Sequence, residues 1–97
     1  MNIPYPKPLQ YGYTVYIKSG CPYCERLKYL LSNINPQPKY IDCDAFLTFN
    51  RDKFMFFIKQ LCGKDYRTFP MVFLNGYFIG GFTETKAFCD EAINLKN

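Results

Sequence analysis

The sequence predicts an α/β domain built on a four-stranded mixed sheet flanked by three helices, in the order βαβαββα. Two observations carry most of that prediction. A buried-strand run at 13–17 is followed by a helical repeat and a second strand run, which is the pattern of a parallel βαβ unit. Asn75-Gly76 separates two short apolar runs and is the dipeptide that best suits a two-residue type I′ hairpin turn. The chain has 97 residues, 48% hydrophobic and 20% aromatic, enough to fill one small core without disulfides to hold it.

The opening "MNIPYPKPLQYG" carries three prolines and no apolar core of a secretory signal, so residues 1–12 are expected to form a flexible, semi-extended arm and residues 13–97 the domain. Tyr13 to Ile17 is β-branched and aromatic, bounded by Gly12 and Ser19-Gly20, and reads as a buried strand. Pro22 suits the first turn of a helix, where its missing N–H is no loss, and Leu27, Leu30, Leu31 and Ile34 recur at helical spacing until "NPQP" at 35–38. Lys39 to Cys43 is the second strand, reached by a right-handed crossover. Asn50 can cap a helix with Phe54, Phe57, Ile58 and Leu61 on one face, and Gly63 sits where such a helix stops. Met71 to Leu74 and Tyr77 to Ile79 form the hairpin, and Gly80-Gly81 breaks it. Thr83 then caps a last helix from about Glu84 to Leu95, with Phe88, Ala92 and Leu95 facing inward.

Composition excludes several function classes. The net charge of +4 is small and scattered, which argues against nucleic-acid partners while favouring small anionic ligands. The apolar stretches "FMFF" and "MVFL" are far shorter than the roughly 20 residues that cross a bilayer, so no membrane association is expected. Five cysteines without a leader point to a reducing compartment, the cytoplasm, where a Cys pair serves redox or metal chemistry rather than stapling the fold. Richness in Lys, Asn, Phe, Tyr and Ile fits an AT-rich genome, such as that of a large DNA virus.

The chemistry concentrates in "KSGCPYCERL" at 18–27. Cys21 falls at a strand-to-helix junction, where free backbone N–H groups and the positive end of the helix dipole favour a thiolate. Lys18 adds positive charge, and such surroundings bring cysteine pKa values from about 8.5 into the range of roughly 3.5 to 7.5. Cys24 lies on the same side of the first turn, close enough to attack a sulfur already joined to Cys21. The pair therefore suits thiol–disulfide exchange. Zinc needs four ligands, and a chain with no His and no second paired Cys spacing offers too few, so no metal is expected. Cys43, Cys62 and Cys89 read as packing residues.

"CPYC" at 21–24, "TFP" at 68–70 and "GGFTE" at 80–84 resemble, in order and separation, the three signature segments of dithiol glutaredoxins, over roughly residues 13–95. The resemblance implies a thioredoxin-like fold and glutathione as electron donor. It makes Cys21 the nucleophile and Cys24 the resolving cysteine. Pro70 matches the family's cis-proline, with Thr68 and Phe69 beside it to pair with the cysteinyl part of glutathione. Gly80 and Gly81 let the backbone approach the ligand, and the helix after them presents N–H groups to a carboxylate. Thr83 and Glu84 match the γ-glutamyl site, Lys18 and Arg67 the basic positions, and Tyr23 the motif tyrosine beside the groove. Three departures stand out: Phe69 replaces the usual Val, "GKDYRTFP" lengthens a loop, and the basic or amide residue of the second helix falls near Met55, with Lys59 as a substitute. The implied partners are glutathione and disulfide-bonded or glutathionylated proteins, with ribonucleotide reductase a candidate by family analogy, and the protein is expected to work as a monomer.

Two other functions compete with that reading. A glutaredoxin-like redoxin fed by thioredoxin reductase would share "CPYC" but lack the glutathione groove, and Lys18, Arg67 and Glu84 speak against it. An iron–sulfur module would hold a cluster between two subunits through one active-site Cys and one glutathione each. Pro22 stiffens the position where cluster-holding relatives more often carry a small polar residue.

Overall fold

The structure, a computed structural model, describes residues 5–96. Strand β1 (Tyr13–Ile17) leads into helix α1 (Pro22–Leu30) and returns as β2 (Lys39–Asp42), parallel to β1 with Thr14 opposite Lys39 and Ile17 opposite Asp42. Helix α2 (Asp44–Cys62) precedes the hairpin of β3 (Met71–Leu74) and β4 (Tyr77–Gly80), and α3 (Phe82–Lys96) closes the chain. The sheet order is β2-β1-β3-β4, with β3 antiparallel to both β1 and β4. This is the four-stranded mixed sheet and the βαβαββα order expected from the sequence.

Side-chain alternation along β1 and β3 divides the core in two. Tyr16, Met71 and Phe73 point to the face covered by α2, where Phe54, Met55 and Ile58 meet them. Tyr13, Val15 and Val72 point to the other face, against Leu27 and Leu31 of the α1 segment, with Phe82 and Cys89 of α3 packed on the same cluster. Both faces of β1 are covered, which is why its sequence is a β-branched and aromatic run rather than a polar–apolar alternation. The hairpin turn has Asn75 at φ 53 and Gly76 at φ 85, the two positive values that a type I′ turn requires.

Register decides where the chemistry lies. Because β1 and β2 are parallel, Cys21 and Cys43 leave the sheet at the same edge. Because β3 runs the other way, with Tyr16 opposite Met71, residues 68–70 enter the sheet at that edge too. Gly80, opposite Val72, brings the start of α3 alongside.

The expected Asn50 cap is found inside a longer element: α2 starts at Asp44, Asn50 has extended backbone (φ −158, ψ 88) that kinks it, and its Oδ1 accepts the Lys53 N–H at 3.1 Å. Two expectations about the last helix are corrected. Helix α3 begins before Thr83: the Gly81 carbonyl accepts the first helical bond from Thr85 N–H, and Glu84 Oε1 reaches back to the Gly81 N–H at 2.8 Å, the carboxylate half of a capping box. Its inward residues are Thr85 and Cys89, whereas Phe88 is 44% exposed and Ala92 is exposed; the side chain of Leu95 lies outside the described residues. Thr85 can be buried because its hydroxyl donates to the Gly81 carbonyl at 2.8 Å, a bond that counting apolar residues overlooks.

The proline-rich opening also behaves differently from the expected flexible arm in its described part, residues 5–12. The Tyr5 ring sits 5.0–5.2 Å from the rings of Phe46, Phe54 and Phe57, and the Tyr16 hydroxyl donates to Pro6 O at 2.7 Å. Leu9 N–H donates to the buried Thr14 hydroxyl at 2.9 Å. Aromatic packing and hydrogen bonds to buried partners hold this segment against the domain.

Candidate active site

Cys21 is the N-cap of α1, with extended backbone (φ −118, ψ 97), and Pro22 is the first helical residue. Its Sγ accepts the Cys24 N–H at 3.2 Å, so a helix-end donor already points at the sulfur. Cys21 and Cys24 are joined as a disulfide, their Cα atoms 5.2 Å apart. The two sulfurs are not equivalent: Cys21 is partly exposed, while Cys24 is 1% exposed. An incoming reagent meets Cys21.

The loop that presents Cys21 is tied from behind. Asp44, at the start of α2, accepts the Ser19 N–H through Oδ1 at 3.0 Å. Hydrogen bonds from Ser19, its N–H foremost, hold the Asp44 carboxyl below the usual carboxylate range.

A groove of about 570 Å³ opens beside Cys21. Lys18, Cys21 and Tyr23 line it from the β1–α1 side, Arg67, Thr68, Phe69 and Pro70 from the segment before β3, and Gly81, Thr83 and Glu84 from the start of α3. The Phe69–Pro70 bond is cis, and Phe69 O lies 3.5 Å from Cys21 Sγ. Two predicted residues stand apart: Cys24 is buried, and Gly80 lines a neighbouring cavity of about 630 Å³, with Glu84 common to both spaces.

The departures from the expected pattern take physical form here. Lys18 Nζ lies 5.5 Å over the Phe69 ring, a cation–π contact that a valine cannot offer. Met55 is 7% exposed and packed mainly in the core, and where it lines the small cavity beside Lys59 it carries no basic or amide group. Lys59 and Arg67 line a small cavity of about 320 Å³, with Arg67 shared with the main groove. The glycine pair makes room for protein rather than ligand alone. A Cβ on Gly80, at φ 138, would lie 2.8 Å from Glu84 carbons, and one on Gly81 would lie 2.8 Å from the Tyr66 hydroxyl oxygen.

Sequence reasoning missed Tyr66, Phe82 and Asp44. Tyr66 and Phe82 line the groove, and the Phe82 ring lies 5.8 Å from Tyr23, which in turn carries the Arg26 guanidinium at 5.0 Å. The signal for Tyr66 was an aromatic among charges in "KDYR", a stretch that reads as a solvated loop. Nothing local marks Asp44. Among the described residues, no three His, Cys, Asp or Glu side chains gather as a metal site requires, and no helix is long and apolar enough to cross a membrane.

A four-stranded β2-β1-β3-β4 sheet with a cysteine pair at the start of α1 and a cis-proline facing it defines a thioredoxin-fold protein with a redox-active dithiol. Residues 13–79 match the glutaredoxin family model, and the chain belongs to that family. Glutaredoxin 1 of Escherichia coli K12 is 31% identical over 85 residues, an alignment covering 82% of this chain and 94% of the relative. Among solved structures, glutaredoxin 1 from Francisella tularensis complexed with cacodylate aligns with a TM-score of 0.65 at 33% identity, over 86% of this chain and 96% of that one. The buckwheat glutaredoxin–glutathione complex aligns with a TM-score of 0.68 at 28% identity, over 82% of this chain and 69% of that one. Family membership implies thiol–disulfide oxidoreductase activity.

Proposed function

We propose that the protein is a glutathione-dependent oxidoreductase that reduces protein disulfides and glutathione mixed disulfides through Cys21 and Cys24. The observation that carries this reading is the groove itself: residues from three separate segments, each suited to one part of glutathione, line one space beside the exposed sulfur of Cys21. Glutathione brings two carboxylates and an ammonium. Lys18 and Arg67 supply positive charge for the glycine end, with Lys59 adjoining Arg67. Thr68, Phe69 and Pro70 run past the cysteinyl part, and Tyr23 flanks it. Gly80 and Gly81 shape the bend into α3, Thr83 offers its backbone N–H to the γ-glutamyl carboxylate, and Glu84 takes the ammonium.

The chemistry follows from the difference in exposure. With a protein disulfide, the Cys21 thiolate attacks one sulfur and the other leaves as a thiolate, which takes up a proton. Cys24 then attacks Cys21 Sγ, releasing the reduced protein and forming the Cys21–Cys24 disulfide. Two glutathione molecules restore the dithiol: the first thiolate attacks Cys21 Sγ and expels the Cys24 thiolate, which takes up a proton, and the second attacks the glutathione sulfur of that mixed disulfide, so that glutathione disulfide departs and the Cys21 thiolate is freed. With a glutathionylated protein, Cys21 takes the glutathionyl group directly and the second glutathione removes it, so Cys24 is dispensable for that substrate.

The compartment we assign is the cytoplasm, whose reducing poise suits a dithiol that works as a reductant. The enzyme is assigned as a monomer, and disulfide-bonded or glutathionylated proteins, with ribonucleotide reductase as one candidate, receive its electrons. Turnover driven by glutathione and glutathione reductase, compared with turnover driven by thioredoxin reductase, tests the reading. Activity with glutathione is expected. Activity with thioredoxin reductase alone would make the protein a redoxin.

A further inference from the structure

Tyr66 stands where the groove, the neighbouring cavity and the start of α3 meet. Its ring packs edge-on against Phe78 at 4.8 Å, and it lines both spaces. Its hydroxyl oxygen lies 2.8 Å from the point a Gly81 Cβ would occupy, and Glu84 Oε1 lies 3.5 Å from the same point. A phenol and a carboxylate thus flank one backbone position at a helix N-terminus. The Gly81 N–H is already taken by Glu84, which removes one of the donors that a bound carboxylate could use there.

We propose that Tyr66 is a specificity residue whose hydroxyl donates to the α-carboxylate of the γ-glutamyl end of the thiol substrate, while Glu84 receives the ammonium. The proposal rests on the glutathione reading above and deepens it. A hydrogen-bond donor and an acid held this close match an α-amino-acid zwitterion, and the γ-glutamyl end is the part of glutathione with that chemistry. Burial raises the Tyr66 pKa above the ordinary tyrosine value, against an opposing hydrogen bond with Thr68, so the phenol keeps its proton and remains a donor. Tyr66→Phe removes the donor and leaves the ring on Phe78.

The test compares reduction of the Cys21–Cys24 disulfide by glutathione and by cysteinylglycine, which lacks the γ-glutamyl end. Each rate is normalised to that thiol's reaction with a small disulfide. Wild type is expected to prefer glutathione, and Y66F to lose about tenfold of that preference, as for one hydrogen bond to a charged group. If wild type prefers glutathione and Y66F keeps the full preference, the Tyr66 assignment is overturned while the glutathione reading stands. If wild type treats both thiols alike, the glutathione reading fails and the Tyr66 assignment falls with it.

Discussion

Cys21 and Cys43 occupy the same place in the topology. Each follows a strand of the parallel pair and caps the helix that comes next. Cys21 has extended backbone that aims Sγ at the Cys24 N–H, and it opens onto the groove. Cys43, at φ −103 and ψ 5, makes no side-chain cap; its thiol lies 3.5 Å from Ile41 O and is completely buried among Tyr16, Phe54 and Ile58. Burial pushes the Cys43 thiol from 9.0 up to about 12. A helix N-terminus therefore does not by itself make a reactive cysteine. The sulfur must also be turned toward the helix donors and kept in contact with water, because desolvation penalises the thiolate more than distant donors favour it.

Exchanging the two roles is the most severe test of this contrast. Cys21→Ser is expected to abolish all disulfide exchange. Cys43→Ala should leave exchange nearly intact and lower stability by about 1 kcal/mol through the small cavity it opens. Loss of turnover in a folded Cys43→Ala protein would break the comparison. Cys24→Ser comes next in size: it should keep removal of glutathione from a mixed disulfide but lose most reduction of protein disulfides, read in parallel assays with the two substrates. Equal loss of both would contradict the division of labour between exposed and buried sulfur.

Titration sharpens the contrast further. In the reduced protein, Cys21, which lines the groove, should be alkylated before the buried thiols. Cys43 and Cys62, pushed by burial to about 12 and about 11, should resist alkylation below pH 9 until the chain unfolds. These raised values also set a stability profile. A thiol that ionises near 9.0 when unfolded but near 12 when folded adds stability that is fully present below pH 9, and this declines as pH rises toward 12 because the unfolded chain loses its protons first. Denaturant midpoints measured from pH 7 to 11 should stay level and then fall, and Cys43→Ala should flatten part of that fall.

The smallest effect concerns the third helix start. Glu84 caps the Gly81 N–H from three residues on, so Glu84→Ala should cost about 1 kcal/mol of stability besides weakening glutathione use. Chemical unfolding of the two proteins measures the difference, and an unchanged midpoint would mean the cap is solvent-exchanged at no cost.

Local rules reach only a few residues along the chain, and what they govern was legible. Strand composition at 13–17, the Pro22 start, the Asn50 cap, the Gly63 stop and the Asn75-Gly76 turn each depend on φ/ψ preference or side-chain period within one turn or hairpin. The pair Cys21 and Cys24 belongs to this class, since three residues of helix suffice to bring them together. What the sequence could not decide depends on residues that meet only after the sheet is paired. Cys21 and Phe69 are 48 residues apart and touch because β3 runs antiparallel to β1. The burial of Cys43, the tie from Asp44 to Ser19, the docking of Tyr5 and the arrival of Tyr66 against Gly81 share that origin. Exposure and hydrogen-bond partners are properties of the packed surface, so the same residue type at the same kind of helix start became a groove-lining cysteine on α1 and a sealed core thiol on α2.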